Sequence, residues 1–150
     1  MLIKISFISL ITYFALLGFI AILCPVLEFH RNLSAPMCYN ILSNFCHQIP
    51  SRCFWVFDSN VGLCSRCFSL YLSFVVCSIL LLLFKNQGVI KYSKSVIICS
   101  IMVSPLIIDG VGELITHYIS NNYIRSISGL LAGLGFALLG DDLLRGGKKK

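Results

Sequence analysis

Ile5–Leu27 reads ISFISLITYFALLGFIAILCPVL and carries no charged side chain. About 20 apolar residues in helical conformation cross the hydrocarbon core of a bilayer, and this run reaches that length. A cleaved signal peptide has a shorter apolar core, of about 7–15 residues, ended by a small-residue cleavage site. No A-x-A site ends this run, and the residue before Cys24 is the large Leu23, where a lipoprotein cysteine follows a small one. The stretch is therefore expected to remain as a membrane-spanning helix.

Further along, three more apolar runs occur, at about 67–84, 95–115 and 124–140. The 150 residues are 57% hydrophobic and 12% charged, with a mean hydropathy of +0.89. Soluble domains carry about 25% charged residues, and roughly a third of a small domain's unfolded surface stays exposed after folding. Lipid must replace water around much of this chain. The expected fold is all-α: one transmembrane domain over 1–150, a bundle of about four helices. The net charge of +6 does not point to nucleic acid, because the basic residues gather at the ends of the apolar runs.

That placement sets the orientation. With the N-terminus inside, Lys4, Lys85, Lys91, Lys94, Arg145, Lys148, Lys149 and Lys150 lie on the inner side, and Arg31, Arg52, Arg66 and Arg125 on the outer. Positive residues favour the cytoplasmic side, so both termini are expected in the cytoplasm of a cell (inner or plasma) membrane, with one outer loop over 28–63. Within that loop Ser34-Ala35-Pro36 reads as a helix start, Ser34 as cap and Pro in the first turn. Met37, Ile41, Leu42 and Phe45 follow at helical spacing. This is expected to be a short amphipathic helix, lying at the outer surface or packed on top of the bundle. Asn32-Leu33-Ser34 matches a glycosylation sequon, a weak signal at three residues.

Chemistry concentrates in two places. Of the eight cysteines, Cys77 and Cys99 fall inside spans and read as small apolar fillers; Cys24 and Cys38 have no evident partner. Cys46-His47 and Cys64-Ser65-Arg66-Cys67 are more informative. A C-x-x-C aims two sulfurs at one centre, and thiolate with imidazole suits tetrahedral zinc. Cys46, His47, Cys64 and Cys67 are thus the candidate metal ligands and zinc the candidate cofactor. Two other readings stay open. The same C-x-x-C serves disulfide exchange, where Arg66 would favour thiolate, or the cysteines form structural disulfides that pin the loop.

The second place is the third span, where Asp109, Glu113 and His117 recur at i, i+4, i+8 and share one helix face. Ionisable groups inside a membrane rarely face lipid. With Arg66 and Arg125 they are expected either to support the metal ligands from behind or to line a polar cavity below the loop, with Asp109 paired to Arg125 at the start of the fourth span. Gly129 and Gly133 form a G-x-x-x-G, which reads as a helix-packing face.

Cys46-His47-Gln48-Ile49-Pro50-Ser51-Arg52, Cys64-Ser65-Arg66-Cys67 with Tyr71, Asp109-Gly110, and Asn122, Arg125 and Ser128-Gly129 together resemble the membrane family called domain of unknown function 2085. The resemblance covers about Cys46 to Gly133. Cys53 stands where that pattern has Ser, Ser69 and Ser73 where it has Gly, and Ser128 where it has Thr. The resemblance implies a small multi-pass membrane protein with a polar cluster of Cys, His, Arg and Asp, and no assigned activity.

Three functional readings follow: an outward metal centre, a thiol-disulfide oxidoreductase using Cys64 and Cys67 with Cys46 or Cys53 as relay, and a non-catalytic accessory subunit. The expected surroundings are the lipid bilayer and no nucleic acid. A homo-oligomer and a larger membrane partner are both compatible with the sequence.

Overall fold

The computed structural model describes residues 2–83, 92–116 and 120–146. Five α-helices occur among them: α1 (Leu2–Phe29), α2 (Ala35–Ser43), α3 (Ser65–Leu83), α4 (Tyr92–Thr116) and α5 (Asn122–Gly146). Four are long and apolar enough to cross a membrane: Lys4–Phe29, Ser65–Leu83, Lys94–Thr116 and Asn122–Leu144. Leu16, Phe19, Ile101, Ile108 and Leu114 point outward and are exposed, which is stable only where lipid is the solvent.

α3 and α5 make the closest pair. Gly129 and Gly133 sit on the face of α5 that meets α3: a Cβ at Gly129 would run into the Arg66 carbonyl oxygen, and one at Gly133 into that of Leu70. Ser73 Oγ donates to the Leu130 carbonyl at 2.8 Å across the same seam. On its other side α5 receives α4, with Gly135 against Cys99 and Met102. Ser95 of α4 donates to Asp142 of α5 near the opposite end of the bundle. α1 packs on α3 through aromatics. Phe14 stacks on Tyr71 with centroids 4.8 Å apart and meets Phe74 edge-on.

Between α1 and α3 the chain does more than the loop expected there. α2 packs on α1 through Ala35, Cys38 and Leu42, while Met37, Ile41 and Phe45 stay exposed. The helix therefore both sits on the bundle and presents an apolar outer face. Ser34 does not cap it by its side chain; instead Asn32 Oδ1 accepts the Ser34 N–H at 2.9 Å. A 3₁₀ turn (Pro50–Arg52) follows, then an antiparallel hairpin of β1 (Cys53–Val56) and β2 (Ser59–Cys64). No strand was expected. Val56 pairs with Ser59, so Phe57 and Asp58 alone make the turn, and both have positive φ, 52° and 60°. That is the backbone of a two-residue hairpin turn, usually announced by Asn-Gly or Asp-Gly. Phe-Asp gives no such signal.

The α3–α5 seam predicts a contrast. Gly129→Ala and Gly133→Ala force backbone apart and should each cost about 1–3 kcal/mol. Gly112, which has open space where a Cβ would go, should tolerate Ala with no loss or a gain of up to about 1 kcal/mol. Thermal denaturation of the three variants in detergent measures this. Equal losses at all three would contradict the seam.

Candidate metal centre and its ion network

The hairpin brings three cysteines together. Cys46 lies just past α2, where its N–H still bonds to the Leu42 carbonyl at 3.0 Å. Gln48, at φ 52°, turns the chain away, and its Nε2 donates to the Tyr39 carbonyl at 2.8 Å. Cys64 ends β2 and Cys67 lies in the first turn of α3. The ligand atoms of Cys46, Cys64 and Cys67 all lie within 4.8 Å of one another. Tetrahedral zinc with bonds of about 2.3 Å spaces its sulfurs roughly 3.8 Å apart, so small shifts suffice to seat an ion.

Electrostatics distinguishes the three. Cys46 Sγ accepts the Cys64 N–H at 3.3 Å. The Cys64 thiol and then the Cys67 thiol also donate to Cys46 and hold it far below the usual thiol range, against the burial that opposes this. The Cys64 thiol is pushed up, first by its bond to Cys46. The group rests on an apolar floor of Leu17, Val61 and Leu63, with Tyr71 packed beside it.

The other sequence candidates fall elsewhere. His47 is exposed and is not among the side chains whose ligand atoms converge. Cys53 donates to the Ile49 carbonyl at 3.3 Å; burial raises its thiol to about 11, so it stays protonated. Cys24 and Cys38 are buried in the apolar cluster under the hairpin, where Cys38 Sγ donates to the Ile20 carbonyl at 3.5 Å. All eight cysteines are free thiols.

Beside the thiols, on a different face of α3, lies an ion network. Asp109 and Glu113 do share a face of α4, but Asp109 is not the partner of Arg125. Asp109 pairs with Arg66, and Arg125 pairs with Glu113. Arg66 also reaches Glu113 at 3.4 Å, as does Arg52 from the 3₁₀ turn. The correction is steric: α3 carries Arg66 to the carboxylate nearer the bundle centre, while Arg125 in the first turn of α5 lies level with Glu113. Ser120 Oγ donates to Glu113 at 2.8 Å and to Asp109 at 3.3 Å. Asn122 bridges, accepting from Ser65 Oγ at 3.3 Å and donating to the Cys53 carbonyl at 3.4 Å. His117 lies outside the described residues. Arg52 and Asn122 were visible beforehand only through the family pattern, and Ser120 through no signal.

This pairing is testable. Asp109→Leu leaves Arg66 without its main partner, and breaking a buried pair costs about 3–5 kcal/mol. The double change with Arg66→Met should recover much of that loss in detergent unfolding, whereas pairing Asp109→Leu with Arg125→Met should add to it. Recovery through Arg125 instead would place the pair wrongly.

Comparison with known proteins identifies the family of the chain. Residues 46–139 match the family described as predicted membrane protein, domain of unknown function 2085. The match begins at Cys46 and contains all three converging thiols and the whole ion network. An uncharacterized protein of Methanocaldococcus jannaschii is 31% identical over 126 residues, 84% of this chain and 76% of the relative. An uncharacterized protein of Methanothermobacter thermautotrophicus is 34% identical over 95 residues, 63% of this chain and 82% of the relative. No solved structure matches. The chain therefore belongs to the membrane-protein family called domain of unknown function 2085.

Proposed function

We propose that this protein is a membrane metalloprotein holding one zinc ion through Cys46, Cys64 and Cys67, on the outer side of a cell membrane. The convergence of three free thiols within 4.8 Å of one another carries the reading. Three protein ligands leave one tetrahedral position for water or a substrate atom, the pattern of catalytic rather than structural zinc. In that position a zinc ion would acidify a bound water. The chain's own residues hold the sulfurs at one point, supply the Cys64 N–H to Cys46, and keep an apolar floor beneath. With His47 turned to solvent, the metal set is the three cysteines.

Orientation supports the outer placement. Three of the four arginines at the hairpin end, Arg52, Arg66 and Arg125, are engaged with carboxylates. By sequence, eight of the twelve Lys and Arg residues fall in the segments at the other end, which favours both termini in the cytoplasm.

The redox reading has an observation of its own: Cys64 and Cys67 are partly exposed, and every thiol is free. Elemental analysis of anaerobically purified protein separates the two readings. The expected result is one zinc per chain, lost in Cys46→Ser, Cys64→Ser and Cys67→Ser and kept in His47→Ala, Cys53→Ser and Cys99→Ser. Metal-free protein whose Cys64–Cys67 disulfide forms and reduces would replace the metal centre with the oxidoreductase. Topology has a separate check. Cys38 is buried, so an Asn44→Cys variant, exposed just past α2, should gain one label from a membrane-impermeant maleimide on intact cells relative to wild type. Labelling only after lysis would reverse the orientation.

A further inference from the structure

Two buried thiols lie outside the three-cysteine centre, and the sequence shows no partner for either. Cys24 stands near the end of α1 and Cys38 in the middle of α2, 0% and 6% exposed. Their side chains are hydrogen-bonded to each other across the joint between the two helices. Cys38 Sγ also lies 3.5 Å from the Ile20 carbonyl, one turn before Cys24 on the same face of α1. Both sulfurs therefore belong to one point of contact. β2 closes over it, since a Cβ at Gly62 would come within 3.0 Å of Cys24 Sγ.

The joint needs an anchor. α2 has nine residues, too few for a helix to hold by itself in water. Its first turn has no side-chain cap. It keeps its place by packing on α1 through Ala35, Cys38 and Leu42, and Cys38 is the middle one of these three. Cys46 follows directly, with its N–H on the Leu42 carbonyl, so the attachment of α2 to α1 also sets where Cys46 stands.

We propose that Cys24 and Cys38 form a disulfide that staples α2 to the first membrane-spanning helix. The structure shows the reduced pair. On oxidation two S–H bonds break and one S–S bond forms. Two protons and two electrons leave, taken up by a small-molecule disulfide that is reduced to two thiols. A disulfide needs sulfurs about 2.05 Å apart, and hydrogen-bonded thiols on facing helices leave a gap that side-chain rotation closes. Only residues 25–37 separate the two cysteines, so they meet before β2 covers them. Afterwards burial shields the bond from reductants. The staple rests neither on the metal reading nor on the orientation of the bundle.

Cell-free synthesis of the full chain into nanodiscs tests it, in buffers of oxidised or of reduced glutathione, with free thiols then blocked by N-ethylmaleimide in denaturant. Trypsin cuts after Arg31, between the two cysteines. In the oxidised buffer most chains should yield the Cys24 peptide linked to the Cys38 peptide, and chymotrypsin, cutting between Cys38 and Cys46, should keep the link on Cys38. The stability lost in the double variant Cys24→Ala with Cys38→Ala should be larger in oxidised than in reduced buffer, by roughly 5–10 °C in the unfolding midpoint for a loop of about 15 residues. Maleimide on both Cys24 and Cys38 in the oxidised buffer, or Cys38 linked to another cysteine, overturns the staple. If the double variant does not fold, the peptide map of the wild type decides alone.

Discussion

Two carboxylates on a membrane-spanning helix have to be neutralised by their neighbours, and meeting that demand orients the bundle. Asp109 and Glu113 stand one turn apart on α4, where lipid offers neither charge nor hydrogen bonds. Arg66 answers from α3 and Arg125 from α5. The pairing fixes how far α3 is rotated about its own axis. Successive residues on a helix are about 100° apart. Once Arg66 faces α4, Cys67 has to face elsewhere, and it looks towards Cys46 and the end of the hairpin. The thiol cluster and the ion network are therefore two consequences of one rotation, separated by a single residue of sequence.

The same rotation needs α3 and α5 to lie very close, and glycine permits it. With side chains at 129 and 133, α5 would be held off the backbone of Arg66 and Leu70, and the guanidinium of Arg125 would move away from Glu113. Between membrane helices, where apolar burial gives little net attraction, close backbone contact and buried polar pairs supply the association. Here the glycine contact joins α3 to α5, and the ion pairs tie both of them to α4.

Much of this was readable in the sequence. The four spans follow from long apolar runs, the third broken only by Asp109 and Glu113, and the shared face of those two follows from their spacing of four. C-x-x-C with a second cysteine upstream was enough to identify the three thiols. What the sequence hid was geometry across elements. It offered two arginines near α4, each at the start of a helix, and spacing alone cannot say which reaches the deeper carboxylate. The hairpin was invisible because its turn uses Phe57 and Asp58 in left-handed backbone without glycine. Cys46-His47 looked like a pair of ligands, yet neighbouring residues in an irregular segment point apart: Cys46 enters the apolar cluster, and His47 is left in solvent.

The apolar setting of the thiols bears on their chemistry. Three sulfurs in mutual contact are an odd number, so one disulfide always leaves a thiol over, whereas a tetrahedral ion takes all three alike. A thiolate on a floor of Leu17, Val61 and Leu63 is costly without a compensating charge. The thiols and the backbone N–H groups of Gln48 and Cys64 aimed at Cys46 compensate it only in part. A dication among the three sulfurs removes that cost. A disulfide between Cys64 and Cys67 would instead take away the donors that Cys46 depends on. A cation bound here would displace the same thiol protons, but it would put positive charge beside Cys46 in their place, which a disulfide does not.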